Sequence, residues 1–178
     1  MRRLWFSLGL PLALSLCLSH TAAVNLTKSG TLPSSPTSTS CSGVFTDREV
    51  FGDVQVPPNR NCTLNNTAVH GNLLLAQGSS LIVKDSNVQG SLKTDAGFVR
   101  VALSGAIVGG QLDAGQGGSV TLNDSQVVGK VNIYRNTGNV RINRMTVNSD
   151  LNCWGNRTEP AGTWVRVDGV QTGQCRRL

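Results

Sequence analysis

The sequence is poor in charged and aromatic residues. Charged side chains make up 15% and aromatic side chains 4% of its 178 residues, whereas glycine occurs 20 times. Bundles of amphipathic helices are rich in Glu, Lys, Ala and Leu, so this composition disfavours an α-helical domain. The hydrophobic share of 39% is still enough for one small packed core, and the length is that of a single domain.

No stretch is apolar over the ~20 residues that a membrane-spanning helix needs. The longest apolar run, Leu4 to Leu18, follows Arg2 and Arg3 and precedes small residues that end at Ala23. A basic, then an apolar, then a small-residue region is typical of a secretory signal peptide. We therefore predict a signal peptide over residues 1–23, a secreted, extracellular protein and no membrane span.

The predicted mature chain also lacks a dense basic patch. Without residues 1–23 it has 14 basic and 10 acidic residues, a net charge of +4, and these charges are scattered. Proteins that bind nucleic acid concentrate such charges in a patch or stripe. We therefore predict no nucleic-acid partner.

The mature chain has no Cys-x-x-Cys pair and a single histidine, His70. This residue set does not support a zinc site, and we predict no metal and no cofactor. An even number of cysteines in a secreted chain favours disulfide bonds instead. The four that remain after the signal peptide are Cys41, Cys62, Cys153 and Cys175.

Residues 24–40 consist mainly of Ser, Thr, Pro and Gly. Such a segment buries too little apolar area to offset its ordering entropy, so we predict a disordered Ser/Thr/Pro-rich stalk here and a folded domain over residues 41–178. Five Asn-x-Ser/Thr sequons are candidate glycosylation sites: Asn25, Asn61, Asn65, Asn123 and Asn156.

From residue 50 onward the chain repeats every 19 or 20 residues. A valine opens each unit, and a small residue, in most units glycine, follows two positions later. The opening valines are Val50, Val69, Val88, Val108, Val127, Val147 and Val167. Nine positions after six of them stands a residue that tolerates a left-handed backbone, which predicts a corner. These corner residues are Asn59, Gly78, Gly97, Gly117, Asn136 and Asn156.

Each unit has two short runs of alternating apolar residues, which predict two strands per unit. A unit of ~20 residues cannot enclose a core alone, but stacked units can. We therefore predict an all-β, single-domain parallel β-solenoid (β-helix) of about six to seven coils of 19–20 residues. The extra residue of a 20-residue coil is expected in the corner between the two strands. The recurrent glycine two positions after each valine predicts a close approach of the walls.

Stacking restricts the disulfide pairing. Cys41 and Cys62 are 21 residues apart, and Cys153 and Cys175 are 22 apart, which is about one coil in each case. Equivalent residues of adjacent coils lie roughly 5 Å apart, within reach of a disulfide, whereas other pairings would cross several coils. We predict the pairs Cys41–Cys62 and Cys153–Cys175, one capping each end of the solenoid.

The repeats resemble the right-handed parallel β-helix class. The C-terminal part also resembles a group of small secreted proteins of unassigned function, in which V-x-G-x-L repeats precede a tail of the pattern GN…P…V-x-G…GQC. The matching residues are Gly155-Asn156, Pro160, Val167, Gly169 and Gly173-Gln174-Cys175. This resemblance implies the fold and a secreted location, and it implies no activity.

The side chains that could do chemistry are not clustered. Asp85 and Asp124 share a corner but lie two coils apart, so we interpret them as turn formers rather than as a catalytic pair. His70 is expected to be exposed, with no nucleophile beside it and no group that orients its imidazole. We predict no catalytic residues and no enzymatic activity.

Tyr134 and Trp154 occupy the same outward position on consecutive coils, and Trp164 lies near the last turn. Exposed aromatic rings can stack on sugar rings, which makes these three residues a possible carbohydrate-stacking patch. The interpretation that the sequence favours is that they cap the open end of the core. Asn61, Asn65 and Asn123 are expected to face outward and Asn156 to lie on a corner, so that no glycan would enter the core.

These features predict a secreted, non-catalytic structural or interaction protein of an extracellular matrix, a cell wall or a mineralised layer. Its expected partners are extracellular polysaccharides or matrix proteins. Two alternatives remain open: a polysaccharide-binding or weakly polysaccharide-degrading β-helix protein, and a solenoid that polymerises head to tail.

Overall fold

The computed structural model describes residues 38–178, which form 22 strands and one 3-10 helix, Gln174–Arg177. The strands, numbered β1 to β22 in chain order, belong to three parallel sheets that run along the stack, with one strand of each sheet per turn. The predicted parallel β-solenoid is therefore confirmed. The predicted signal peptide, residues 24–37 of the predicted stalk and the sequon at Asn25 lie outside the described residues. Thr39 and Ser40, at the end of the predicted stalk, already form β1.

Each sheet takes every third strand. Sheet A contains Thr39–Ser40 (β1), Val54–Val56 (β4), Leu73–Leu75 (β7), Leu92–Thr94 (β10), Leu112–Gly115 (β13), Val131–Tyr134 (β16), Leu151–Trp154 (β19) and Gln171–Gly173 (β22). Sheet B contains Gly43–Thr46 (β2), Asn61–Asn65 (β5), Ser80–Lys84 (β8), Arg100–Ser104 (β11), Ser119–Asn123 (β14), Val140–Asn143 (β17) and Ala161–Thr163 (β20). Sheet C contains Glu49–Val50 (β3), Ala68–Val69 (β6), Asn87–Val88 (β9), Ile107–Val108 (β12), Gln126–Val127 (β15), Thr146–Val147 (β18) and Arg166–Val167 (β21).

The opening valines stack on one another in sheet C. Val69 pairs with Val88, Val88 with Val108, and Val108 with Val127. These four side chains are almost completely buried. A continuous column of β-branched side chains suits this position because such residues pack well on a pleated surface. The predicted valine column is confirmed, and it forms one wall of the core.

Each turn has three sides, whereas the sequence analysis predicted two strands per unit. The recurrent glycines cause the difference, because they form a corner between sheets C and A. A Cβ atom on Gly71 would lie 2.3 Å from the carbonyl carbon of Gly52, and one on Gly90 would lie 2.5 Å from the carbonyl oxygen of Gly71. The close approach is thus between the backbones of successive turns and not between opposite walls of the core.

The corner between sheets A and B contains one left-handed residue per turn. The prediction is correct for Asn59, Gly78 and Gly97. It is wrong for the next three turns, where the left-handed residues are Gln116, Arg135 and Gly155 instead of Gly117, Asn136 and Asn156. The register explains the shift, because the amide of Gly97 donates to the carbonyl of Gln116 and not to that of Gly117. Gly117, Asn136 and Asn156 each follow one of these three left-handed residues, and all three are buried.

The extra residues of the longer turns lie in this same corner, as predicted. Leu73 pairs with Leu92, 19 residues later, in sheet A, whereas Leu81 pairs with Val101, 20 residues later, in sheet B. The added residue therefore lies between those two strands. Phe98 in this segment is buried, and a Cβ atom on Gly117 would lie 2.2 Å from its ring, so the glycine makes room for the aromatic side chain.

Both predicted disulfide bonds are present near the ends of the solenoid. Their Cα atoms lie 5.6 Å apart for Cys41–Cys62 and 5.2 Å apart for Cys153–Cys175. At the C-terminal end the 3-10 helix places Cys175 in the core, and Leu178 packs against it. Within residues 38–178 no helix is long and apolar enough to cross a membrane.

Candidate binding face and groove

Polar side chains tie successive turns together at the corner between sheets C and A. Asp53 accepts a hydrogen bond from the backbone N–H of Asn72 (2.7 Å), and the side chain of Asn72 accepts one from the N–H of Ser91 (2.9 Å). Asp150 accepts one from the N–H of Val170 (3.1 Å) in the last turn. Carboxylate and amide oxygens here satisfy backbone donors that a sharp corner would otherwise leave unpaired.

Hydroxyl groups have the same role at the corner between sheets B and C. Ser86 accepts a hydrogen bond from the N–H of Thr67 (2.9 Å) and donates to the carbonyl of Lys84 (2.6 Å). Ser125 accepts one from the N–H of Ala106 (3.2 Å). Thr67 and Ser125 are also the third residues of two sequons. A hydroxyl residue at these positions is therefore explained by the corner itself.

A column of amide side chains, two of them buried and the last half-buried, closes the corner between sheets A and B. The Oδ1 atom of Asn136 accepts from the N–H of Gly117 (3.0 Å), and its Nδ2 donates to the carbonyl of Ala114 (3.0 Å). One turn later, Asn156 accepts from the N–H of Asn136 (3.1 Å). Gln174 ends the column by accepting from the N–H of Asn156 (2.8 Å). We call Asn136, Asn156 and Gln174 the amide column.

The structure corrects the interpretation of the sequon at Asn156. The residue is only 6% exposed, and its Nδ2 donates to the carbonyl of Ile133 and to Gln174 Oε1. A glycan on this nitrogen would replace one of its two hydrogens, so at least one of those bonds would be lost, and the attached sugar would have no room at a side chain that is almost fully buried. Of the other sequons in residues 38–178, Asn61 is exposed, and Asn65 and Asn123 are half-buried on the outer face of sheet B.

His70 has a more ordered environment than expected. Its Nε2 lies 2.7 Å from Oε1 of Glu49, and its ring stacks on Phe51 with centroids 4.6 Å apart. The expectation that no group orients the imidazole is therefore wrong. Within residues 38–178, Glu49 is the only side chain that is hydrogen-bonded to His70. No serine or cysteine side chain in this part of the chain is hydrogen-bonded to the imidazole.

The two corner aspartates behave as turn residues. Asp85 and Asp124 both have a left-handed backbone. Asp124 is paired with Arg144, whose Nη2 lies 2.7 Å from its Oδ2. Hydrogen bonding by this guanidinium lowers the pKa of Asp124 below its usual range. The pKa of Asp150 is also lowered, first by the hydrogen bond from the N–H of Val170 and then by Lys130.

One column of polar side chains on the outer face of sheet A is not needed for a corner. Asn132 donates to Asp113 (2.6 Å), Asn152 donates to Asn132 (3.0 Å), and Thr172 donates to Asn152 (2.6 Å). These four residues, which we call the sheet A column, form one chain of hydrogen bonds over four turns. No binding role was predicted for this column, although all four residues stand five positions after an opening valine.

Tyr134 and Trp154 form an aromatic pair beside the sheet A column. Their rings stack with centroids 4.7 Å apart and an angle of 5° between the planes. The ring of Tyr134 lies over Gly115, where a Cβ atom would be 2.2 Å from it. Trp154 is 43% exposed and faces outward from β19. The interpretation of this pair as a cap of the core is therefore wrong.

Trp164 does not join this pair. It is 84% exposed and lies at the corner between sheets B and C, whereas Trp154 ends a strand of sheet A. The end of the core is covered instead by Cys175, Leu178, Val165 and Val167. Of the three candidate carbohydrate-stacking residues, Tyr134 and Trp154 therefore lie together, and Trp164 lies apart from them.

No group of three or more His, Cys, Asp or Glu side chains in residues 38–178 is placed to hold a metal ion. No protein-family model, curated protein or solved structure matches this chain. The resemblance of the C-terminal motif to a group of secreted proteins stays an interpretation of the sequence. The candidate site therefore rests on geometry: the sheet A column, the aromatic pair and the end of the stack beside them.

Proposed function

We propose that this chain is a secreted, non-catalytic interaction protein that binds a polysaccharide of an extracellular matrix or cell wall along the outer face of sheet A. The observation that carries this proposal is the sheet A column running beside an outward aromatic pair. Hydrogen-bonding groups next to an aromatic ring are the combination by which proteins contact the polar edges and apolar faces of sugars.

The rigidity of the face supports binding. Successive strands in a parallel sheet are ~4.8 Å apart, so the column presents amide and hydroxyl groups at a constant spacing. Each side chain is held by the next, from Asp113 to Thr172. A surface that is already ordered loses little conformational entropy when a ligand binds.

The positions of the carboxylates support a non-catalytic role. Asp53 and Asp150 bind backbone amides of the next turn, and Asp124 is paired with Arg144. A general acid needs a carboxyl group that is free to exchange its proton with substrate near the working pH. The pKa values of Asp124 and Asp150 are lowered, by Arg144 and by the N–H of Val170 respectively, so neither carboxyl group is suited to act as the general acid of a polysaccharide-degrading site.

Head-to-tail polymerisation has less support. The last strand of sheet A leads directly into the 3-10 helix Gln174–Arg177, and Leu178 packs against the end of the core. A second molecule would have to displace this segment before its strands could continue the sheet. We therefore do not propose polymerisation.

The test compares two single tryptophan variants of the secreted protein. We expect Trp154→Ala to weaken retention on insoluble matrix polysaccharides about tenfold or more, since loss of a stacked aromatic typically removes more than 1 kcal/mol of binding free energy. Trp164→Ala, which removes an even more exposed indole from another corner, should bind as the parent protein does. Equal binding by both variants, or no retention of the parent protein on any polysaccharide, would overturn the proposal.

A further inference from the structure

A groove opens at the C-terminal end of sheet A, beside the aromatic pair. Its volume is about 470 Å³, and its lining includes Trp154, Glu159, Gly173, Gln174, Arg176 and Arg177. This volume falls within the range of small-ligand sites in proteins. The groove therefore has room for part of a saccharide chain at the edge of the proposed binding face.

The outer face of the Trp154 ring is left uncovered by the next turn. One face of the ring is stacked on Tyr134. In the following turn, Gly173 is in register with Cys153 and has no side chain. Gln174, the next residue, turns its side chain toward Asn156 and bonds to the backbone N–H, the carbonyl and the Nδ2 of that residue. Because the side chain of Gln174 is held in the amide column by these bonds, it does not lie over the indole of Trp154.

The groove also carries unbalanced positive charge. Arg176 and Arg177 are both exposed, and no carboxylate in residues 38–178 lies within ion-pair distance of either guanidinium. Glu159 is the single acidic residue in the lining. Guanidinium groups bind carboxylates and sulfates through paired hydrogen bonds, while a lone carboxylate can accept hydrogen bonds from sugar hydroxyls.

We propose that this groove binds a sugar unit that carries a carboxylate or sulfate group. The ring of the sugar stacks on the free face of Trp154, and its anionic group is held by Arg176 and Arg177. This inference rests on the proposed function and adds to it the chemical class of the ligand. It also gives the last turn a role distinct from that of the sheet A column, namely selection by charge.

Isothermal titration of the full secreted chain with three hexasaccharides tests the inference. Hyaluronan carries carboxylates, heparin carries sulfates as well, and the chitin hexasaccharide shares N-acetylglucosamine with hyaluronan but is neutral. We expect at least one anionic probe to bind about tenfold or more tightly than the neutral one, and to bind more weakly as salt is raised. The two anionic probes show which group is preferred.

Paired variants locate the charge effect. We expect Arg176→Gln/Arg177→Gln to reduce the affinity for the anionic probe about tenfold and to leave the neutral probe unaffected. Arg100→Gln/Arg141→Gln, which removes two exposed arginines from sheet B, should have no effect. Thermal melts of both variants should match the parent protein, because all four side chains are exposed.

The outcomes separate this inference from the proposed function. If the neutral probe binds as tightly as the anionic ones through Trp154, the proposed function stands and the groove is not selective for charge. If the sheet B variant loses as much affinity as the groove variant, the site assignment is overturned. If no saccharide binds the parent protein, both proposals are wrong.

Discussion

Several polar side chains in this chain form hydrogen bonds with the backbone of a neighbouring turn. Asp53, Ser86 and Asn136 belong to three different corners, and each accepts a hydrogen bond from a backbone N–H of another turn. A buried side chain with such a role cannot be replaced without leaving donors unpaired. These three residues, although of types common in active sites, are therefore explained by the corners of the solenoid.

The amide column makes the sharpest prediction at this scale. Asn156→Ala leaves the N–H of Asn136 and the carbonyl of Ile133 without their side-chain partner. It also removes one bond of the Gln174 side chain, which keeps its two bonds to the backbone of residue 156. We expect a loss of about 3 kcal/mol in the free energy of unfolding, since each buried unpaired group costs about 1–3 kcal/mol. Urea titration measures it. Asn139→Ala, at an exposed asparagine, should change stability by less than about 0.5 kcal/mol; equal losses in the two variants would contradict the role assigned to Asn156.

The sequence predicted the stacked residues better than the direction of single corner side chains. The valine column and both cysteine pairs follow from a spacing of about one turn. The left-handed residue stands nine positions after the opening valine in the first three turns, but only eight positions after it from Gln116 onward. Asn136 and Asn156 were misassigned for this reason. A shift of one residue at a corner exchanges a left-handed position for a core position, and glycine or asparagine suits both. Composition at that position therefore could not reveal the shift.

Strand length explains what was missed at the scale of elements. The strands of sheet C have only two residues each, as in Ala68–Val69 and Ile107–Val108. Alternation of apolar and polar residues cannot be recognised in a strand of two residues. The prediction therefore joined each sheet C strand and the following sheet A strand into a single strand. The glycines that separate sheets C and A were visible in the sequence, but only the stacking of backbones shows why they are needed.

The Cys153–Cys175 bond should hold the last turn in place. Replacing both cysteines by serine removes a link that closes 22 residues, and the chain-entropy model gives a loss of about 3 kcal/mol. We expect faster amide hydrogen exchange in Gln171–Arg177 and weaker saccharide binding in the groove, with little change in the central turns. Cys41→Ser/Cys62→Ser is the matched control and should affect the first turns only. Uniform acceleration in both variants would show that the bonds do not act locally.

Two aspartates that bond to other turns contribute to the stability of the whole molecule in a pH-dependent way: Asp124 through Arg144, and Asp150 first through the N–H of Val170 and then through Lys130. The folded pKa values of Asp124 and Asp150 lie below the ordinary value of 3.8. Their contribution is therefore fully present above about pH 4 to 5 and is lost as the pH falls through the lower folded pKa values. We expect the melting temperature to decrease below about pH 4.

Variants identify the source of this decrease. Asp150→Asn and Arg144→Gln should each flatten the dependence of the melting temperature on pH between about pH 4 and 2, because the first removes a titrating carboxyl group and the second removes the guanidinium that lowers the pKa of Asp124. Asn139→Ala should keep the slope of the parent protein. A slope that is the same in all three variants would mean that other carboxylates control the acid transition.

At the scale of the whole molecule, the account depends on the vertical stacking of residues one turn apart. That stacking places the disulfides, the amide column, the sheet A column and the aromatic pair. Methyl–methyl nuclear Overhauser effects in the full chain with labelled valines test it most directly. The account predicts cross-peaks from Val69 to Val88, from Val88 to Val108 and from Val108 to Val127. Absence of these contacts, or strong contacts between valines two turns apart, would contradict the stacked solenoid.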